Sequence, residues 1–167
     1  PYSSRLLWTG EKTDQPLEHF AFSPNEQRIA VSHANQTGIR LVDSQRQQVL
    51  PPLDYHLLPP VDFYFSTDQQ LVSIDEERNL LWGNSESRLQ EHRPELELSK
   101  QSRPERLLSL PGDQLAVIST EGDTTKAHIF NREGAEQQQL LLYGAGSIAR
   151  SPTGAYLASA DYDSVQL

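Results

Sequence analysis

A chain of 167 residues is long enough for one ordinary domain with a sizeable core. Its 23 acidic against 14 basic residues give a net charge of -9, the wrong sign for a nucleic-acid binder, which needs a basic face to meet phosphate. The absence of cysteine excludes disulfides and thiolate zinc sites. It suits the cytoplasm, slightly the better fit, or a bacterial periplasm. No run approaches the roughly 18 apolar residues of a membrane span. The chain begins at Pro1 and lacks Met, as a processed chain or a portion of a longer one would.

Taken in order, the first apolar stretch is RLLWTG, 5–10. Its spacing to the next apolar run predicts an outer strand with no companions of its own. Then a pattern starts that recurs four times. An apolar run leads into a turn: FAFSPNEQ from Phe20, FYFSTDQQ from Phe63, LLSLPGDQ from Leu107 and SIARSPTGA from Ser147. Ser-Pro, Pro-Gly and Thr-Gly supply the fixed and the permissive φ values of a hairpin turn. A second run comes after each turn: RIAVS, QLVSI, QLAVI and YLASA. Their anchors Ile29, Leu71, Leu115 and Leu157 stand 42, 44 and 42 residues apart. A third run comes after a polar loop (GIRLVD, NLLWGN, AHIFN, SVQL), and in three units a fourth (QQVLPPL, ELELS, QQLLLY).

Alternation of apolar and polar residues, as in RIAVS and ELELS, predicts strands with one buried face. The runs are too short, and too often broken by Pro or Gly, for helices. The expected fold is therefore all-β: units of four short strands, a to d, over 18–53, 61–99, 105–143 and 147–167, with 5–10 as an added outer strand. The last unit ends at strand c, so one orphan strand is expected at each end of the repeat.

FSPNEQRIAVSHANQTGIRLVD and SPTGAYLASADYDSVQL resemble the WD40 and WD40-like repeats of β-propellers over essentially the whole chain. The FSP turn is shared with TolB-type repeats. The resemblance implies a β-propeller of four-stranded antiparallel blades, with about four blades here. Four is the low end for propellers, and WD40 rings usually have about seven. An arc of a larger ring is thus expected over a four-blade ring or a pairing with another copy. An open arc leaves an apolar blade face at each end, to be covered by missing blades, a second chain or its own other end.

The resemblance also implies a buried polar set: Gly-His ahead of strand a, Ser or Thr on strand b, Asp in the b–c turn and Trp on strand c. Trp82, Ser159 and Asp163 match parts of it, Asn25 and Thr153 replace the usual turn Asp, and His19 stands before the first strand a without its Gly. No unit is expected to hold the complete set. Apolar packing between blades must then carry stability, because a half-built polar network destabilises.

No chemistry-bearing motif stands out. The five histidines, at 19, 33, 56, 92 and 128, have no metal-ligand spacing. The acidic b–c loops DEER (75–78), EGDTT (121–125) and DYD (161–163) read as turn-formers and solvated charge. There is no Gly-x-Ser-x-Gly elbow and no phosphate loop, and YGAGS (143–147) joins strand to strand. No catalytic residue, metal or cofactor is expected. The charged stretch 84–105 is expected to protrude, and LPPLDYHLLPPVD (50–62) offers Tyr55, Leu57 and Leu58 as partner-contact anchors. The expected function is a non-catalytic protein-interaction scaffold with protein partners, self-association or docking of missing blades. The alternatives are a ligand-sensing or periplasmic domain of a larger receptor, and a hydrolase framed by a propeller.

Overall fold

The turn after the first strand is built twice with the same bonds. Ser23 N–H donates to Arg28 O (2.9 Å), Glu26 N–H to Ser23 O (2.8 Å) and Arg28 N–H to Ser23 Oγ (2.9 Å). In the last unit Ser151 N–H donates to Tyr156 O (3.0 Å), Gly154 N–H to Ser151 O (2.8 Å) and Tyr156 N–H to Ser151 Oγ (3.1 Å). Asn25 Oδ1 takes the usual Asp's place by accepting from Ser23 Oγ and Gln27 N–H. Both turns need a left-handed residue at the same place, Glu26 at φ 59° and Gly154 at φ 75°.

These turns join the strands of four antiparallel sheets in a computed structural model. It describes residues 14–87, 90–92, 96, 98–131, 133–142, 147–160 and 165–166, without side chains at 90–92 and 165–166. Sheet 1 is β1 (Leu17–Phe22), β2 (Arg28–His33), β3 (Ile39–Asp43) and β4 (Gln48–Leu53). Sheet 2 is β5 (Pro60–Phe65), β6 (Gln70–Asp75), β7 (Leu80–Asn84) and β8 (Gln90–His92). Sheet 3 is β9 (Arg103–Leu110), β10 (Gln114–Glu121), β11 (Thr124–Phe130) and β12 (Glu136–Leu142). Sheet 4 is β13 (Ser147–Arg150), β14 (Leu157–Ala160) and β15 (Val165–Gln166). Each sheet runs in simple sequence order. Ile29, Leu71, Leu115 and Leu157 all open the second strand, opposite Phe22, Phe65, Ser109 and Arg150.

The sheets stack in chain order, because every one of them has two apolar faces to hide. The face of sheet 1 carrying Ala21, Ala30 and Leu41 receives Phe63, Phe65 and Leu71 of sheet 2. The opposite face of sheet 2, with Val72, Ile74, Leu80 and Trp82, packs on Leu107, Leu115, Val117 and Phe130 of sheet 3. Ala116, Ile118 and Ala127 on the far face of sheet 3 meet Ile148 and Leu157 of sheet 4. Burying each large side chain in these layers contributes about 1.5–3 kcal/mol. The first strands β1, β5 and β9 lie side by side along one edge of the stack.

Polar stitches fix the stacking angle. Asn25 N–H donates to Asp68 Oδ1 (2.8 Å) between the turns of sheets 1 and 2, and Arg28 reaches Ser85 and Glu86. Leu107 N–H donates to Asp62 Oδ2 (2.8 Å) between sheets 2 and 3. Arg106 donates to Ile148 O and Arg150 to Ser109 O between sheets 3 and 4.

Two expectations change. The fourth strand of sheet 2 is Gln90–His92, pairing with Leu81–Gly83, and the described residues of ELELS, Leu96, Leu98 and Ser99, lie outside any strand. Leu96 and Leu98 alternate as a strand would, but they drop from a connection into the core between sheets 2 and 3. The stretch 84–105 therefore does not simply protrude, since it supplies two buried leucines and the start of β9. The predicted outer strand at 5–10 lies outside the described residues.

The repeated turn gives a paired prediction. Glu26→Gly relieves a left-handed β-carbon and should raise stability by about 0.5–1 kcal/mol. Gly154→Ala should lower it by about 1 kcal/mol or more, since its Cβ would also come within 2.6 Å of Pro111 Cδ. Urea denaturation of the two variants reads both signs.

Candidate functional site

The connection from β4 to β5 holds the most constrained polar group in the molecule. Pro51, Pro52, Pro59 and Pro60 stiffen this connection and its flanks, and His56 in the middle turns inward. Its Nδ1 lies 3.1 Å from Asp75 Oδ2, and its Nε2 lies 2.7 Å from Ser73 Oγ. All three residues are buried. The carboxylate is acceptor-only, so Nδ1 is the donor to Asp75, and Nε2 and the Ser73 hydroxyl share the second bond. Asn79 completes the set, donating backbone N–H to Asp75 Oδ1 (2.9 Å) and its amide to both carboxylate oxygens. Burial pushes the Asp75 carboxyl up, but the bonds from His56 and Asn79 together outweigh that and hold it below the ordinary carboxylate value.

Sheet 2 assembles part of the polar set that the resemblance implies, without its Trp and without the Gly before its His. Histidine, Ser on the second strand and Asp at the strand's end are assembled in sheet 2. The available signal was DYH ahead of β5, in the unit that also carries Ser73 and Asp75. Trp82 is the exception. Register pairs it with Val72, while Ser73 pairs with Leu81, so Trp82 belongs to the face packed on sheet 3 and Ser73 to the opposite one. It is a core residue of that junction. Ser159 stands in β14 at the place of Ser73 and is buried, whereas Asp163 lies outside the described residues, as does the whole DYD loop. The other sheets answer the same need differently. Ser102 and Ser119 share a buried hydrogen bond of 2.8 Å in sheet 3, Ser119 standing where Asp75 stands in sheet 2. In sheet 1 that place is His33, whose buried Nδ1 has no hydrogen-bond partner among the described residues.

The three proposed anchors separate. Tyr55 is half-buried, packs beside the core between sheets 1 and 2, and lies over Gly83, where a β-carbon would come 2.0 Å from its ring. Tyr55 thus packs against the fold with part of its ring. Leu58 is half-buried. Leu57 is 90% exposed, immediately after the locked His56.

Along the first strands, a cleft of about 460 Å³ is lined by His19, Val61, Glu76, Arg103, Pro104 and Glu105. Burial pushes the Asp62 carboxyl above its ordinary value, opposed by the N–H groups of Leu107 and Phe63 and by His19 and Arg106. His19 Nδ1 lies 3.9 Å from Asp62 Oδ1, and Glu105 accepts a hydrogen bond from Thr120. His128, on β11, is buried with Nδ1 2.9 Å from Glu136 and its ring stacked on Phe130. No group of three His, Cys, Asp or Glu suited to a metal occurs among the described residues, and no helix among them is long and apolar enough to cross a membrane.

Stacked antiparallel meanders with first strands along one edge define an all-β, propeller-like arrangement. Solved structures bear this out at the level of fold. A structure of U3-55K matches with a TM-score of 0.55 and a crystal structure of the RRP9 WD40 repeats with 0.56. Each is 18% identical and covers 75% of this chain but only 36% of its own, so the chain spans about a third of the structures it matches. No family model matches the sequence, and no curated protein matches it.

The buried set sets the acid limb of stability. Asp75 titrates lower in the folded state than in the unfolded one. Its contribution is therefore fully present above the unfolded value near 3.8 and is lost as pH falls through the lower folded value. Asp75→Asn should flatten the fall in stability below about pH 4. His56→Ala, which strands a buried carboxylate, should cost about 3 kcal/mol at neutral pH. Thermal unfolding followed across pH reads both.

Proposed function

We propose that this chain is part of a non-catalytic protein-interaction scaffold of the WD40 type, with Leu57 as a partner-contact anchor beside Leu58. The observation that carries the reading is the contrast within one connection: His56 is locked by two buried bonds while its neighbour Leu57 stands 90% exposed. A leucine on a fixed loop is presented without an ordering cost, which favours binding. Rim connections on a rigid frame are also where scaffolds carry recognition.

A hydrolase reading has one specific observation in its favour. Ser73, His56 and Asp75 have the hydrogen-bond order of a nucleophile, base and orienting acid. Burial argues against it. Ser73 is 1% exposed within sheet 2, so a substrate carbonyl would have to open the sheet to reach Oγ. Nor does Tyr64 offer an alternative acid or base, because burial pushes its phenol up to about 12. The three groups are a structural lock. The reading as a sensor or periplasmic receptor domain is not favoured.

The scaffold reading predicts a stoichiometric protein partner recovered with the wild-type chain from native extract. Leu57→Asp should lose it without a change in melting temperature, since the side chain buries nothing in the fold. Recovery of no partner, or equal recovery by the variant, overturns the assignment of Leu57. Ser73→Ala separates the hydrolase reading: ester or amide hydrolysis by the wild type that disappears in the variant would overturn the non-catalytic one.

A further inference from the structure

The junctions between neighbouring sheets repeat position by position, and one position departs from the pattern. Between sheets 1 and 2, Phe65 pairs with the anchor Leu71 and is 8% exposed, filling the layer beside Ala21 and Ala30. One junction on, Ser109 pairs with the anchor Leu115 and so holds the place of Phe65. Tyr64, paired with Val72, holds the place of Ala21, which pairs with Ala30. Exchanging Phe for Ser takes a whole ring out of a close-packed layer, and Tyr64 restores only part of that volume. A cleft of about 290 Å³ is left between sheets 2 and 3. Each of these sheets has a neighbour in this chain on its other face, so no further sheet is needed to form the cleft.

Burial changes steadily from floor to mouth. Trp82 and Leu115 are buried at the bottom, Tyr64, Ser109 and Gln114 are half-buried along the sides, and the turn residues Thr67 and Asp113 are exposed at the opening. The opening lies where β5 ends, whereas Leu57 precedes the start of β5. Burial pushes the Tyr64 phenol up to about 12, so it keeps its proton. Among the described residues no hydrogen bond occupies the side chain of Tyr64, Ser109 or Gln114. Two hydroxyls and an amide therefore line a cleft with an apolar floor, their bonding capacity unused by the fold.

We propose that this cleft binds a tyrosine side chain presented by a partner protein, an inference that rests on the scaffold reading only in taking the ring from a protein. The ring occupies the place that Phe65 fills one junction earlier, above Trp82 and Leu115. The phenol is the distinguishing group. A bare phenyl ring would strip water from Tyr64, Ser109 and Gln114 and offer nothing in return, whereas a hydroxyl both donates and accepts.

The probe is N-acetyltyrosinamide, followed by saturation-transfer NMR against the full chain. A dissociation constant on the order of 1 mM is expected for a ligand of this size. N-acetylphenylalaninamide should bind about fivefold more weakly for want of the phenol's hydrogen bond. Ser109→Phe supplies from within the ring that the cleft lacks, and should abolish the signal while raising the melting temperature. Tyr64→Phe should narrow the difference between the two probes, and it keeps the test decisive if the first variant does not fold. Leu57→Asp should leave both probe signals unchanged while losing the protein partner, so a failure of the cleft and a failure of the scaffold reading are told apart. The proposal is overturned by an absence of saturable tyrosine-probe binding, by equal binding of the two probes to wild type, by a preference that Tyr64→Phe does not move, or by a signal that survives in folded Ser109→Phe.

Discussion

The constraint on which everything else depends is that each sheet has two apolar faces and, among the described residues, no helix to cover either. A four-stranded sheet of this kind is not stable alone, and its neighbour must supply what it lacks. The junctions meet that need with complementary volumes. Alanines on sheet 1 face phenylalanines on sheet 2. Where the second sheet presents the bulk of Trp82, the third answers with Leu107, Leu115, Val117 and Phe130, and Leu96 and Leu98 fill in from a connection. Alanines return on the back of sheet 3 against Ile148 and Leu157. Close packing is kept by trading size across the layer, so a change on one face is felt on the next sheet.

Much of this was legible, and for identifiable reasons. The Ser-Pro turns could be read because Ser23 and Ser151 each act locally, accepting an N–H five residues on, and local chemistry survives in sequence. The anchors Ile29, Leu71, Leu115 and Leu157 could be read because alternation and spacing agree there. ELELS misled because alternation reports only that every second side chain is buried. Leu96 and Leu98 are buried from irregular backbone, and the pairing falls to Gln90–His92 instead. Trp82 misled through register. One residue separates it from the partner of Ser73, and in a strand one residue is the other face.

His56 escapes a sequence reading for a different reason. Its partners lie 17 and 19 positions away, and no local rule connects a loop histidine to a serine and a carboxylate on a strand. Its neighbour Tyr55 stands out instead, as an aromatic next to exposed leucines. The structure reverses the roles: the tyrosine packs over Gly83, while the histidine fixes the loop and the leucine after it faces solvent.

One sheet keeps a polar lock where the third has a serine pair and the first a histidine, His33, and the lock provides a distinct kind of restraint. A buried ionic or polar set stabilises no more than apolar residues of the same volume would, and removing one member is costly. Its distinct property is directional. Apolar contacts let a loop slide over the core, whereas bonds from two ring nitrogens to Ser73 and Asp75 fix His56 in rotation as well as position. The fixed point falls next to the most exposed leucine in the described residues, on the connection between the first two sheets. Between the sheets single hydrogen bonds supplement the apolar packing, whereas at His56 several converge on one loop residue, beside the exposed Leu57.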